Sequence, residues 1–305
     1  MILLAVGQVA DLARNGAPHP ASSASWPTTD NHYVQETETW RRTRVAELTA
    51  PDGWLSLIGL HFLRDGENRI GSAKDNDVVL AAGPAHVGRV TVAPQGAVSL
   101  ALAAGIDARI GDTAARTAAL TTDAAGKKPT LVTCGTMTLF AIERGGKIAL
   151  RVKDSGSPRR RNFVGLDYFP IDPAWRIEAR WDAFEKSRLM PITSMLGQTA
   201  VEPVPGKAVF VHEGKTVELL AIDEGPDKPL FFVISDATSG RETYPASRFI
   251  YAERPRDGKI VLDFNRAENP PCAFTPHATC PLPPRENRMT FPVRAGEKNY
   301  RGAHE

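Results

Sequence analysis

Short apolar runs, broken at close intervals by glycine, proline, asparagine and aspartate, limit what this chain can fold into more than any other feature. Residues 68–70, 78–80, 89–92, 98–103, 130–133, 137–144 and 147–152 follow one another in this way. Runs this short suit strands rather than helices of ordinary length. The segment therefore reads as a β-sandwich with a strand about every 8–12 residues. Gly145-Gly146, between the last two runs, predicts a tight hairpin. After a polar loop over 155–162 the pattern resumes at 175–181, 207–212, 216–222, 229–234, 247–252 and 259–264. The triple arginine 159–161 in that loop reads as a solvated charge run.

One segment departs from the β pattern. Residues 35–50 carry Trp40, Val45 and Leu48 at helical spacing, with acids ahead of bases, and Pro51-Asp52-Gly53 stops them. The expected fold is mainly β: a short N-terminal helix, a sandwich over 35–150, and a second β-rich module over 151–305. Residues 1–34 read as a loosely packed leader. Their opening apolar run lacks a basic start and ends at Asp11, which argues against a cleaved signal.

Composition removes several function classes. A net charge of +2 over 305 residues does not suit a nucleic-acid binder. No run approaches the roughly 18 apolar residues of a membrane span. Three cysteines make no disulfide framework, so a reducing, cytoplasmic setting is expected. The chain has no Gly-x-Ser-x-Gly elbow, His-Glu-x-x-His or P-loop.

Function is expected in the block 263–288. Its six prolines rule out a regular strand or helix, yet it holds two of the three cysteines together with several amides and charges. Asp263 follows the apolar run 260–262 at a strand end and is placed as a general base. Cys272 is the candidate nucleophile, which requires a neighbour that lowers its pKa. Asn265, Arg266, Asn269 and Asn287, with Tyr244 and Arg248 from the preceding hairpin, are candidate substrate-binding groups. Arg248 suits a carboxylate or phosphate, and a buried pair between Arg248 and Asp263 is the structural alternative. Cys272, His277 and Cys280 form a weak zinc set, with His212 as a possible fourth ligand. No other cofactor is expected.

The same block, with 236–249, 51–60, 151–154 and 295–300, resembles the DUF1684 family of bacterial proteins of unknown function, and the likeness spans roughly 40–300. The resemblance implies a fold region and a polar cluster rather than a reaction. Residues 65–80 also resemble the opening of a forkhead-associated (FHA) sandwich, a phosphothreonine-binding fold. Ser72 stands where that fold has its arginine, and Gly83 stands where a serine would precede His86. This second likeness implies fold more than phosphopeptide binding.

The leading expectation is an enzyme, a hydrolase, acting on a polar or anionic small molecule at a C-terminal pocket. One alternative is a non-catalytic protein that binds a partner through the FHA-like sandwich. The other is a structural zinc protein.

Overall fold

The computed structural model describes residues 31–302. The leader falls outside it except for residues 31–34, which belong to the helix. Among the described residues no helix is long and apolar enough to cross a membrane.

The fold is mainly β with one long helix at its start. Helix α1 covers Asn31–Thr49 and begins ahead of the predicted start. Its buried residues are Tyr33, Thr37, Arg44 and Leu48, a helical stripe made largely of polar side chains. The predicted face through Trp40 and Val45 is only half-buried. Polar anchoring, not an apolar stripe, holds this helix.

Strands β1 (Leu57–Phe62), β2 (Gly66–Gly71), β3 (Val78–Val79), β4 (Gly88–Val92), β5 (Val98–Leu102), β6 (Arg109–Ile110), β7 (Thr117–Leu120), β8 (Val132–Cys134), β9 (Met137–Arg144) and β10 (Lys147–Asp154) build the first half. They form two five-stranded sheets, ordered β1-β10-β9-β8-β6 and β3-β2-β4-β5-β7. Ile70, Val90 and Leu100 from one sheet meet Leu139, Leu150 and Val152 from the other in a shared core. Gly145 and Gly146 both take positive φ in the β9–β10 turn, as their sequence predicts. At the FHA-like positions, Ser72 Oγ donates to the Gly83 carbonyl at 2.8 Å, and His86 Nδ1 lies 3.4 Å from Asn76 Oδ1. These groups bind their own loop, so the phosphopeptide reading gains no support here.

The second half has β11 (Arg176–Thr193), β12 (Thr199–His212), β13 (Lys215–Leu220), β14 (Leu230–Ile234), β15 (Arg248–Ala252) and β16 (Lys259–Asp263). Their sheets are ordered β13-β12-β11-β16 and β14-β15. β11 and β12 run well past the predicted stretches as a two-stranded ribbon, with Leu189 opposite Pro203 and Pro191 opposite Val201. Proline argues against a central strand. Here β16 and β13 pair only with the base of the ribbon, so Pro191 and Pro203 face no further strand ladder, and the Pro203 carbonyl accepts from Asp223 N–H at 2.8 Å instead.

The loop joining the halves is not simply solvated. Ser157 caps the short helical turn Pro158–Arg161. Arg160 donates to the carbonyls of Thr49 (2.6 Å) and Ser155 (2.9 Å), closing the C-terminal end of α1.

Candidate functional site

The predicted site residues fall into separate clusters. Asp263 ends β16 and caps the following turn: Asn265 N–H donates to its Oδ1 at 3.1 Å, and so does Tyr33 Oη from α1 at 2.8 Å. Arg266 Nε pairs with its other oxygen at 3.3 Å. Burial raises the Asp263 pKa, and the Tyr33 hydrogen bond and the Arg266 charge oppose that rise. Asn265, fully buried, donates to Tyr33 Oη (2.9 Å) and the Asp172 carbonyl (2.8 Å) and accepts from Asp172 N–H. This cluster fastens α1 to the second half.

The other polar candidates support main chain. Arg248 is 1% exposed and pairs with Asp236 at 2.7 Å, not with Asp263. It also donates to the carbonyls of Val293 and Ala295. Asn269 Nδ2 donates to the Lys298 carbonyl (2.7 Å), and its N–H to Glu297 (2.7 Å), which holds Arg44 of α1 at 3.0 Å. Gly296, at φ 77°, allows this close packing, because a Cβ there would lie 2.4 Å from the Ala267 carbonyl oxygen. Asn287 accepts from Leu220 N–H and donates to the carbonyls of Leu220 and Val233, bridging β13 and β14. An irregular buried segment has no ladder, so amides and guanidinium groups satisfy its backbone instead.

Three candidates do converge. Cys272 N–H donates to Cys280 Sγ at 3.1 Å, and Tyr244 Oη donates to the Cys272 carbonyl at 3.1 Å. Both thiols are free. A hydrogen bond from the Cys280 thiol lowers the Cys272 pKa against the effect of burial, and the Arg151 charge adds to the lowering. Burial drives Cys280 well above the usual thiol range. Burial and then the nearby thiols push Tyr244 up to about 12.

The zinc set does not assemble. Among the described residues no three or more histidines, cysteines and acids are grouped to hold a metal. His277 faces Arg159 and His61, and burial and those charges lower its pKa. His212 lies stacked between Trp175 and Phe291.

Two cations that sequence reasoning had not placed in a site lie on β10, and one of them, Arg151, is near enough to Cys272 and Cys280 for their charges to interact. On β10, Ile148, Leu150 and Val152 fill the sandwich core. Alternation turns Ala149, Arg151 and Lys153 to the opposite face, where Ala149 packs with Phe140 and Ile142. That face is covered rather than solvated: Arg151 is 3% exposed and Lys153 5%. Lys153 donates to the Asp52 carbonyl. Arg151 has its Cζ 5.5 Å from the Trp54 ring centroid, and no hydrogen bond or ion pair engages its guanidinium among the described residues; its Nε is buried without an acceptor. Burial, then repulsion from Arg144, lowers Arg151 to about 10. Burial, then Arg151, lowers Lys153 to about 8. Arg144 differs in holding Asp123 through both nitrogens, at 3.0 and 2.8 Å. The legible hints were the family resemblance of 151–154 and the alternation Lys-Ile-Ala-Leu-Arg-Val-Lys, which is also how a solvated strand face is written.

The arrangement defines a β-rich protein with a thiol pair and a buried cation that makes no direct ion pair where the sandwich meets the proline-rich block. The family model described as "Protein of unknown function (DUF1684)" matches residues 161–298. The solution NMR structure of an uncharacterized protein of Haloarcula marismortui is 33% identical, covering 46% of this chain and 80% of that one, with a TM-score of 0.40. No curated protein matches the chain. Residues 161–298 carry the likeness to the DUF1684 family. The matched segment contains Tyr244, Asp263, Cys272 and Cys280, while Trp54, Arg151 and Lys153 precede it.

Proposed function

We propose that this protein is a hydrolase for a small anionic ester or thioester, bound where β10 meets the proline-rich block. The observation that carries the reading is Arg151, a guanidinium 3% exposed that makes no ion pair or hydrogen bond among the described residues and has Asp123 only as a more distant counter-charge. A buried unpaired charge is expensive to keep, and an anionic ligand is what would compensate it. Lys153, two residues along the same face, supplies a second charge, and Trp54 a flat apolar wall.

Cys272 is the nucleophile in this reading. Cys280 and Arg151 favour its thiolate, so attack on an acyl carbon needs no separate base. The carbon–sulfur bond forms as the acyl bond to the leaving group breaks, and the departing alkoxide or thiolate takes a proton from water; a water molecule then attacks the thioester, releasing the acid and restoring the Cys272 thiolate. Asp263 has a different role: its carboxylate fixes α1 rather than facing substrate.

A panel of carboxylate-bearing, phosphate-bearing and neutral esters tests the reading against wild type, Cys272→Ser, Arg151→Met and Asp263→Asn. Cys272→Ser should lower kcat by about 100-fold or more. Arg151→Met should raise KM for the anionic esters and leave that of the neutral ones little changed. Turnover that survives Cys272→Ser, or no turnover anywhere in the panel, contradicts the proposal.

A further inference from the structure

We infer that Cys272 and Cys280 form a redox pair in which a hydroperoxide oxidises Cys272 and Cys280 closes a disulfide. The geometry is already close to the product. Cys272 N–H reaches Cys280 Sγ at 3.1 Å, which puts the Cys280 sulfur against the Cys272 residue itself, and the two thiols shift each other's pKa.

The loop between them is held at several points. Thr275 Oγ1 donates to the Leu57 carbonyl (3.0 Å), Met195 N–H to the Cys280 carbonyl (2.9 Å), and Tyr244 Oη to the Cys272 carbonyl. These bonds hold the loop with the Cys280 sulfur beside Cys272, the neighbourhood a disulfide needs. The two sulfurs also differ as the chemistry requires. Cys272 is half-buried with a pKa lowered by Cys280 and by the Arg151 charge, whereas Cys280 is 1% exposed with a pKa raised well above the usual thiol range. The more accessible thiolate meets the oxidant, and the interior thiol waits behind it.

The steps balance. Cys272 thiolate attacks one peroxide oxygen, the O–O bond breaks, and the departing oxygen takes a proton to leave as water or an alcohol. Cys272 is then a sulfenic acid. The Cys280 sulfur attacks the Cys272 sulfur, the S–O bond breaks, and water leaves with the Cys280 proton. The dithiol gives up two electrons, and the hydroperoxide accepts them. If the hydrolytic reading holds, oxidation removes its nucleophile and switches the enzyme off. That consequence rests on the proposed function, but the redox pair itself does not.

The test treats the full chain with a small excess of hydrogen peroxide, blocks remaining thiols with iodoacetamide, and maps peptides by mass. The expected result is a Cys272–Cys280 cross-link lacking two hydrogens and reversed by dithiothreitol. Cys134, buried with a raised pKa, should react about tenfold more slowly or less. In Cys280→Ser, Cys272 should stop at a sulfenic acid that a cyclic 1,3-dione traps; should that variant not fold, the wild-type map decides alone. Wild type in which both thiols stay alkylatable, or in which Cys272 passes to sulfinic acid without the cross-link, overturns the inference. A cross-link in a protein that hydrolyses no ester leaves the inference standing and removes the hydrolytic reading. Hydrolysis with no cross-link does the reverse.

Discussion

Arg151 and Arg248 are both buried guanidinium groups, and their surroundings set them apart. Arg248 holds Asp236 and several carbonyls, so Arg248→Met strands a buried carboxylate and should destabilise the protein by about 3–5 kcal/mol. Arg151 has no such direct partner and only Asp123 at a distance, so Arg151→Met removes a poorly compensated charge. Its stability should be unchanged or up to about 2 kcal/mol higher, as expected where a site is maintained against stability. Urea unfolding of the two variants checks both values. Lys153 makes a pH prediction. Its folded pKa, about 8, lies below the unfolded value, so the unfolded chain binds more protons as pH rises through that window. Stability should therefore climb with pH, by roughly 2 kcal/mol between about pH 7 and pH 9.5. Lys153→Met should abolish the climb. Tyr33, raised in the folded state, works in the opposite direction only above about pH 10. At this scale the irregularity of the block was legible in its prolines, whereas the partners of its polar residues were not. A proline-rich buried segment needs donors and acceptors for its own backbone, and Asn265, Asn287 and Arg248 serve that need.

Helix α1 attaches to the molecule through polar side chains aimed at the far end of the chain. Tyr33 reaches Asp263 and Asn265, and Arg44 reaches Glu297 and the Asn269 carbonyl. Tyr33→Phe leaves the buried Asn265 Nδ2 and Asp263 Oδ1 each short of one partner and should cost about 1–3 kcal/mol, read as a lower urea midpoint with an unchanged slope. The helix was legible because its stop at Pro51-Asp-Gly is strong, and its start was not, because the buried stripe is polar. The β9–β10 hairpin was legible for the same kind of reason: Gly145 and Gly146 provide the positive φ that its turn requires. The β11–β12 ribbon was only half legible. Its prolines read as breaks, and whether a strand edge is free depends on partners distant in sequence.

Across the whole molecule, the outer face of β10 is the feature that ties the halves together. Phe140, Ile142 and Ala149 are buried there although the sandwich core lies on the other side of the sheet. Trp54 packs both with the cluster that contains Cys280 and with the one that contains Leu48 and Phe274. Separation of the halves would expose this face, so urea unfolding should show one transition by tryptophan fluorescence and by circular dichroism alike. Two transitions would mean the seam is weaker than its burial implies. The seam joins segments about 120 residues apart in the chain, which is why no local pattern announced it.

The central claim is that Arg151 provides an anion seat beside the Cys272 thiol. The most direct measurement is the rate of Cys272 alkylation by iodoacetamide as inorganic phosphate is raised at constant ionic strength, in wild type and in Arg151→Met. Saturable protection of several-fold in wild type and none in the variant is the predicted result. Equal protection in both proteins, or none in either, would contradict the account.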